Sequence, residues 1–496
     1  VTRGVLSWRA RYGRNRFDGT PRAPLEKAGH VMTRFQATLT AGILAAVLAV
    51  TGSATAAQAA RATSGSLTVD FDHQIATSSN LMFGLSSWPK LDPAYAGEIA
   101  DAGVTIVRSD VYLYDIVPSR DVFDQSPAEW NWNPADPTET TTDGDVDAFR
   151  AAGLEHMLII HGFPEWMGTE GSVPSWDGSD DSLPVTDFDA LKEAYQQVFA
   201  HYRDRVDYFE IANEPDLEMS YDEYADIYRA ALAGMNEVGT DTPVGPQSAS
   251  ADPDWYQQLL ADPGIAPDVR FADWHSYGST WNSDAGAWHD ASDAAGRPDM
   301  PLFVTEWNHD PSFDADDPLD GDSPQAISYA GMRLSGMMDA GVTGAMLFGS
   351  NDETGSYDAY LRHQFRFIES DGTLTPKAAT FRLLSRDMGL GVGENAIMNT
   401  ADDGISASSS AVTATGRESA WAMNDSAATV TVSVTLTNLD ETGTVQLTHY
   451  LASPDDDATA PTRTETTNVD GDGTATTTIT MPPYSVYGLT VSPAGT

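Results

Sequence analysis

The sequence predicts an α/β fold: a (β/α)8 TIM barrel with an appended C-terminal β-sandwich domain. Three observations predict it. Between residues 80 and 389, short apolar strands alternate with amphipathic helices, and eight candidate strands can be counted. That alternation is the pattern of a parallel sheet with crossover helices, and a span of roughly 300 residues suits a barrel with insertions. After about Leu390 the texture changes to Ser, Thr, Val and Ala in period-two runs, as in Ala428–Leu439 and Thr474–Met481. Such runs, broken by DGDG and PP turns, read as a β-sandwich.

Residues 1–31 are Arg-rich and unpatterned and are read as an upstream extension. Residues 32–60 have the form of a signal peptide: Met32-Thr33-Arg34, the apolar run Ala41–Val50, then small residues with a cleavage point near Ala59 or Ala60. The apolar run is shorter than the ~20 residues a membrane span needs. No second such run follows, so the expectation is a secreted, extracellular protein with no membrane partner after cleavage. Residues 61–79 contain an alternating strand, Ser66–Asp72, expected to join the sandwich.

The eight barrel strands are expected to start at Leu81, Val104, His156, Val206, Thr242, Val269, Pro301 and Gly344. Phe188–Arg205, Tyr221–Gly239 and Ser323–Gly341 carry apolar residues at helical spacing, and two of the three end in Gly. A doubly wound open sheet is the architectural alternative. No Gly-rich phosphate loop follows an early strand, which counts against it. Residues 390–496 form the predicted sandwich.

Of 496 residues, 41% are hydrophobic, with 12 Trp, 18 Tyr and 17 Phe, which excludes a disordered chain. The net charge is −46. Eight basic and two acidic residues precede position 61, so the remainder holds 19 basic and 71 acidic residues, a net −52. Such a field repels phosphate backbones and excludes nucleic acid as a partner. It also fits a protein working at high salt, where screening relieves self-repulsion. Cysteine is absent. Thiol nucleophiles and Cys metal sites are therefore excluded, and stability rests on the core.

In such a barrel, chemistry sits at the C-terminal ends of the strands. The fourth strand runs into Asn213-Glu214-Pro215 and the seventh into Glu306-Trp307-Asn308. Each places one Glu at the mouth, on strands that face each other across it. A lone Glu at a strand end is ordinarily a surface residue or an ion-pair partner. Two facing carboxylates are what glycosidic cleavage requires: one donates a proton to the leaving oxygen, the other attacks the anomeric carbon or activates water.

These motifs also carry a family resemblance. Asn-Glu-Pro closing strand four, with a Glu closing strand seven, resembles the clan A retaining (β/α)8 glycoside hydrolases. Within that clan, Glu210–Asp216 (EIANEPD), Asp273–Gly278 (DWHSYG) and Val304–Asn308 (VTEWN) are most similar to glycoside hydrolase family 39, the family of β-xylosidases and α-L-iduronidases. The resemblance runs from about Ser66 to the end, including the closing Pro482–Val491.

The resemblance implies that Glu214 is the general acid/base and Glu306 the nucleophile. It implies that Asn213 binds the sugar 2-hydroxyl, and that Arg108 orients Glu306 and keeps it ionised. His275 and Tyr277 would line the site, with Tyr277 near the nucleophile. His161, Trp166, Trp281 and Trp307 are candidates for sugar contact, although a single Trp more often packs than serves as a platform. One departure stands out: the eighth strand, GAMLFGSND, has Phe348 and no Trp as a floor under the sugar. No cofactor and no metal are expected. The segment Asp143–Asp147 lacks the Gly and Glu of a calcium loop and is read as a turn. The expected substrate is an oligosaccharide or polysaccharide. Sugar, linkage and oligomeric state are left open.

Overall fold

The structure is a computed structural model that describes residues 64–87, 90–134, 140–168, 185–217, 219–246, 253–278, 285–309, 323–349 and 365–494. The expected signal segment and the residues before it lie outside the described residues. A long strand, β1 (Ser64–Ser79), precedes the barrel. The barrel strands are β2 (Gly84–Ser86), β3 (Ile106–Tyr112), β4 (Glu155–His161), β5 (Tyr208–Ile211), β6 (Val244–Pro246), β7 (Ala272–Tyr277), β8 (Leu302–Asn308) and β9 (Gly344–Phe348). They pair in parallel in the order β6-β5-β4-β3-β2-β9-β8-β7, and β6 lies beside β7, so the ring is nearly closed.

The crossover helices are α1 (Ala96–Asp101), α2 (Asp143–Ala151), α3 (Phe188–Tyr202), α4 (Tyr221–Val238), α5 (Pro253–Ala261), α6 (Gly286–Ala294), α7 (Gln325–Asp339) and α8 (Lys377–Phe381). Their ends follow the local chemistry. Helix α4 starts at a capping box between Ser220 and Glu223 and stops at Gly239, whose φ of 65° suits a residue without Cβ.

Two local readings are corrected. Asn80–Met82 is a 3-10 turn, not strand, because the Ser79 hydroxyl accepts from the Leu81 amide at 3.1 Å and starts a turn; β2 begins only at Gly84. Asp143–Asp147 is the first turn of α2, not a loop turn. Thr142 and Asp145 cap it reciprocally, and Asp145 also meets Lys90 at 2.6 Å. Carboxylates suit that position because a helix N-terminus carries partial positive charge.

The floor of the barrel is filled by Leu81, Ile106, Met157, Phe271, Phe303 and Met346. These residues set which strand positions face the lumen. Because side chains alternate along a strand, Arg108 and Asp110 lie above Ile106 on β3, and Glu210 lies above Tyr208 on β5.

The C-terminal strands are β10 (Glu394–Asp403), β11 (Ala407–Val412), β12 (Glu418–Asn424), β13 (Val430–Thr437), β14 (Gly443–Ser453), β15 (Asp456–Asp457), β16 (Arg463–Val469), β17 (Ala475–Met481) and β18 (Ser485–Pro493). They form a mostly antiparallel sheet separate from the barrel sheet, folded about its own core of Val432, Val434, Leu436, Leu447 and Ile479. Strand β1 sits inside it, antiparallel to β10 and parallel to β13.

Barrel and sandwich share a second, larger core through α7. Trp421 donates to Ser335 Oγ at 2.7 Å, and Ser409 to Asp339 at 2.7 Å. At Gly331 a Cβ would lie 2.6 Å from Val486, so only glycine admits this approach. No described helix is long and apolar enough to cross a membrane.

Candidate active site

The mouth of the barrel gathers polar side chains from β2, β3, β5, β7 and β8. On β5, Glu210 points into the lumen and is fully buried. The chain then bends sharply: Ala212 and Glu214 both take left-handed backbone angles, with φ of 67° and 42°. Non-glycine residues held there store roughly 1–3 kcal/mol each, which surrounding structure must offset. The Ala212 amide donates to Ile160 O at 3.0 Å, and Pro215 opens a 3-10 turn directly after Glu214. The bend turns Glu214 toward His275 on β7.

On β8 the alternation is broken. Phe303 faces the lumen and Val304 the outer core. Strict alternation would then send Glu306 outward and Trp307 inward. Instead Val304 pairs with Trp274 and Glu306 pairs with His275, so Thr305 forms a bulge. One inserted residue flips every side chain after it. Glu306 enters the lumen, and Trp307 turns outward.

The carboxylates are brought together. One oxygen of Glu214, one oxygen of Glu306 and one ring nitrogen of His275 all lie within 4.8 Å of one another. His275 Nδ1 sits 2.7 Å from Glu214 Oε1 and 3.3 Å from Glu306 Oε2. The other ring nitrogen, Nε2, is buried with no hydrogen-bond partner. A buried bare nitrogen costs less than a buried unpaired N–H, so the proton belongs on Nδ1, which donates to Glu214 Oε1 with Glu306 Oε2 close by. Burial lowers the pKa of His275 and keeps the ring neutral.

Glu306 has further partners. Tyr277 donates its hydroxyl to Oε2 at 2.6 Å, and Arg108 Nη1 donates to Oε1 at 2.9 Å. Arg108 also donates from Nη2 to Asn213 Oδ1 at 2.9 Å, leaving the Asn213 amide N–H2 as the group it can offer a ligand.

The two carboxylates titrate in different surroundings. Burial raises the Glu214 pKa from 4.5 to about 7, with Arg108 pulling against it. Burial also raises that of Glu306, but His275, Arg108 and the Tyr277 hydroxyl favour its anion, while Glu214 opposes it. The Glu214 side chain keeps 22% of its surface open and Glu306 9%, so Glu214 is the one that meets the cleft. Burial disfavours the Arg108 charge, yet Glu210 and Glu306 outweigh this and raise its pKa. Glu214, His275 and Glu306 are the one grouping among the described residues with three metal-ligand side chains converging. Their donor atoms are already engaged with one another, Arg108 and Tyr277.

Glu214, Glu306, Asn213, Arg108, His275 and Tyr277 thus form one cluster. His161 ends β4, buried against the Tyr112 ring at 4.3 Å and 3.0 Å from Asp110. Trp166 packs in the loop after β4. Its Nε1 donates to Val117 O at 2.8 Å, and its ring meets Phe123 and the Arg120 guanidinium. Trp281 lies outside the described residues. Trp307 is a correction: it is fully buried on the outer face of the barrel, parallel to Phe381 of α8 at 6.4 Å, and cannot touch a sugar. The bulge at Thr305 is the reason. Phe348, at the end of β9, packs against Tyr277 with ring centroids 6.0 Å apart.

Glu210, Ser86 and Asp110 escaped the motif reading. For Glu210 a signal existed: a charged residue inside the apolar run VDYFEIAN must be buried and must find a cation.

Residues 73–334 match the family described as Cellulase (glycosyl hydrolase family 5). The chain belongs to this family. It is therefore a glycoside hydrolase of clan A acting on glycans. No curated protein matches it in sequence.

Solved structures with the same fold include a glucosidase from Croceicoccus marinus, 17% identical with a TM-score of 0.61, matched over 87% of this chain and 100% of that one. A family 39 enzyme from Xanthomonas axonopodis pv. citri is 18% identical with a TM-score of 0.58, over 86% and 97% of the two chains. A monomeric β-xylosidase from Caulobacter crescentus is 16% identical with a TM-score of 0.58, over 86% and 99%. The likeness to family 39 read from the motifs thus recurs in the fold, within a chain of family 5 membership.

Proposed function

We propose that this family 5 chain is a retaining glycosidase with Glu214 as general acid/base and Glu306 as nucleophile. One observation carries the reading: an oxygen of each carboxylate within 4.8 Å of the other, with His275 between them. Retaining pairs stand ~5–5.5 Å apart, and inverting pairs ~6.5–9.5 Å to admit a water.

Glu306, held as an anion by Arg108 and Tyr277, attacks the anomeric carbon as the glycosidic bond breaks. Glu214 gives its proton to the leaving oxygen. Since its Oε1 accepts from His275, that proton rides on Oε2. Glu214, now a carboxylate, then takes a proton from water as the water displaces Glu306 and releases the sugar with its original configuration. Asn213 is placed to donate to the 2-hydroxyl through its amide.

The substrate reading is β-xylosidase-like action on polysaccharide fragments by a secreted enzyme. A fold shared with a β-xylosidase supports it, while Phe348 in place of a tryptophan floor is a departure that points toward a different sugar. An arabinosidase or endo-glycosidase of the same clan remains the competing specificity. A carbohydrate-binding protein without turnover is the competing class, against which the intact pair of carboxylates argues.

The test is Glu306→Gly with and without azide, alongside Glu214→Ala. Both variants should lose turnover by several orders of magnitude, and azide should restore the first as a glycosyl azide of inverted configuration. Near-normal turnover by either variant defeats the assignment. A panel of aryl glycosides, with proton NMR of the first-formed anomer, decides sugar and stereochemistry.

A further inference from the structure

We infer that Glu210 is a positioning residue: through Arg108 it holds the nucleophile and the 2-hydroxyl ligand in place and limits how strongly Arg108 stabilises the nucleophile's charge. The inference rests on the roles proposed above for Glu306 and Asn213.

A guanidinium has five N–H donors in a rigid plane. In Arg108 each has one acceptor. Nε donates to Glu210 Oε2 at 2.6 Å and Nη2 to Glu210 Oε1 at 3.1 Å, a two-point fork. The second Nη2 hydrogen goes to Asn213 Oδ1 at 2.9 Å. The two on Nη1 go to Ser86 Oγ at 3.1 Å and Glu306 Oε1 at 2.9 Å. The fork fixes the plane of the guanidinium. With the plane fixed, the directions of Nη1 toward Glu306 and Nη2 toward Asn213 are fixed too. Both partners in the fork are essentially inaccessible to water, with side chains 2% and 0% exposed.

Charge gives Glu210 its second effect. One cation is shared by two carboxylates, so with Glu306 ionised the trio carries one net negative charge. Removing the Glu210 charge leaves Glu306 as the carboxylate hydrogen-bonded to Arg108, with Asp110 attracting the guanidinium by charge. Glu306 then ionises more readily, and as a tighter ion pair it is a poorer nucleophile. The Glu210 carboxylate hydrogen-bonds Arg108 at both oxygens, and that contact carries the positioning effect; through space its charge also favours the protonated form of His275.

The test is Glu210→Gln and Glu210→Asp, read by full pH–rate profiles on an aryl glycoside together with thermal midpoints. In Glu210→Gln the acid limb of kcat/KM should move to lower pH by about 0.5 or more. Its kcat should fall about 10- to 100-fold, as expected when a reacting group is misplaced by up to an ångström, with KM within about threefold. Glu210→Asp keeps the charge but withdraws the carboxylate by one methylene. Its acid limb should stay in place while kcat falls.

An unmoved acid limb in Glu210→Gln, or wild-type kcat in both variants, overturns the inference. So does a loss that only follows the unfolded fraction at the assay temperature. Should Glu210→Gln not fold, the Asp variant decides: a lower kcat at an unchanged thermal midpoint supports the inference, and unchanged kcat refutes it. The azide experiment on Glu306→Gly judges the catalytic roles separately, so a silent Glu210 would leave them standing.

Discussion

Glu214→Gln should make the protein more stable at pH 8 and leave its stability near pH 4 unchanged. The group's pKa rises from 4.5 to about 7 on folding because burial penalises the anion. A raised carboxylate pKa means the native state binds more protons than the unfolded chain between those two values. Stability associated with Glu214 is therefore fully present below pH 4.5 and is lost as pH rises through about 7. Each tenfold change in proton affinity is worth about 1.36 kcal/mol, so the penalty above pH 7 approaches about 3 kcal/mol, trimmed to roughly 2–3 by the 22% of the side chain left open. Glutamine removes it, since it never ionises. At roughly 2.1 cal/mol/K per residue for the roughly 370 described residues, that energy raises the thermal midpoint by about 3–4 °C. Differential scanning calorimetry of both proteins at pH 4.5, 6 and 8 reads it. An equal gain at all three pH values, or none at pH 8, would refute the burial argument. The same group should set the alkaline limb of the activity profile near pH 7.

Tyr277→Phe removes the 2.6 Å hydrogen bond that favours the Glu306 anion. The acid limb of kcat/KM should then shift to higher pH and kcat should fall about 10- to 100-fold; an unmoved limb would separate Tyr277 from the nucleophile. Trp307→Ala should cost about 3–5 kcal/mol of stability by opening a cavity against α8. Denaturant titration reads that loss, and KM of the folded fraction should not change, in contrast to a sugar platform. The net charge of −46 predicts a thermal midpoint that rises from dilute buffer to molar sodium chloride. A midpoint flat across that range would remove the case for adaptation to salt.

Much was legible in the chain. Strand–helix alternation forecast the barrel because each crossover unit buries one apolar face with its own neighbours, a local requirement that leaves a local pattern. Period-two runs forecast the sandwich for the same reason. The two glutamates could be named because strand ends at the barrel mouth are where chemistry gathers; Asn213, His275 and Tyr277 could be placed with them through the motifs that hold them, and Arg108 through the family resemblance.

Only the tertiary structure decided which way those side chains point. Alternation counted from Phe303 puts Trp307 in the lumen and Glu306 outside it; one extra residue at Thr305 reverses both. A bulge is set by pairing with β7, a strand some thirty residues away, and leaves no mark on the β8 sequence itself. The partnership of Glu210 with Arg108 is hidden in the same way, since the two are 102 residues apart and meet only when β3 and β5 are wrapped about one lumen. Local periodicity is written residue by residue, whereas register and convergence arise from how distant strands pair.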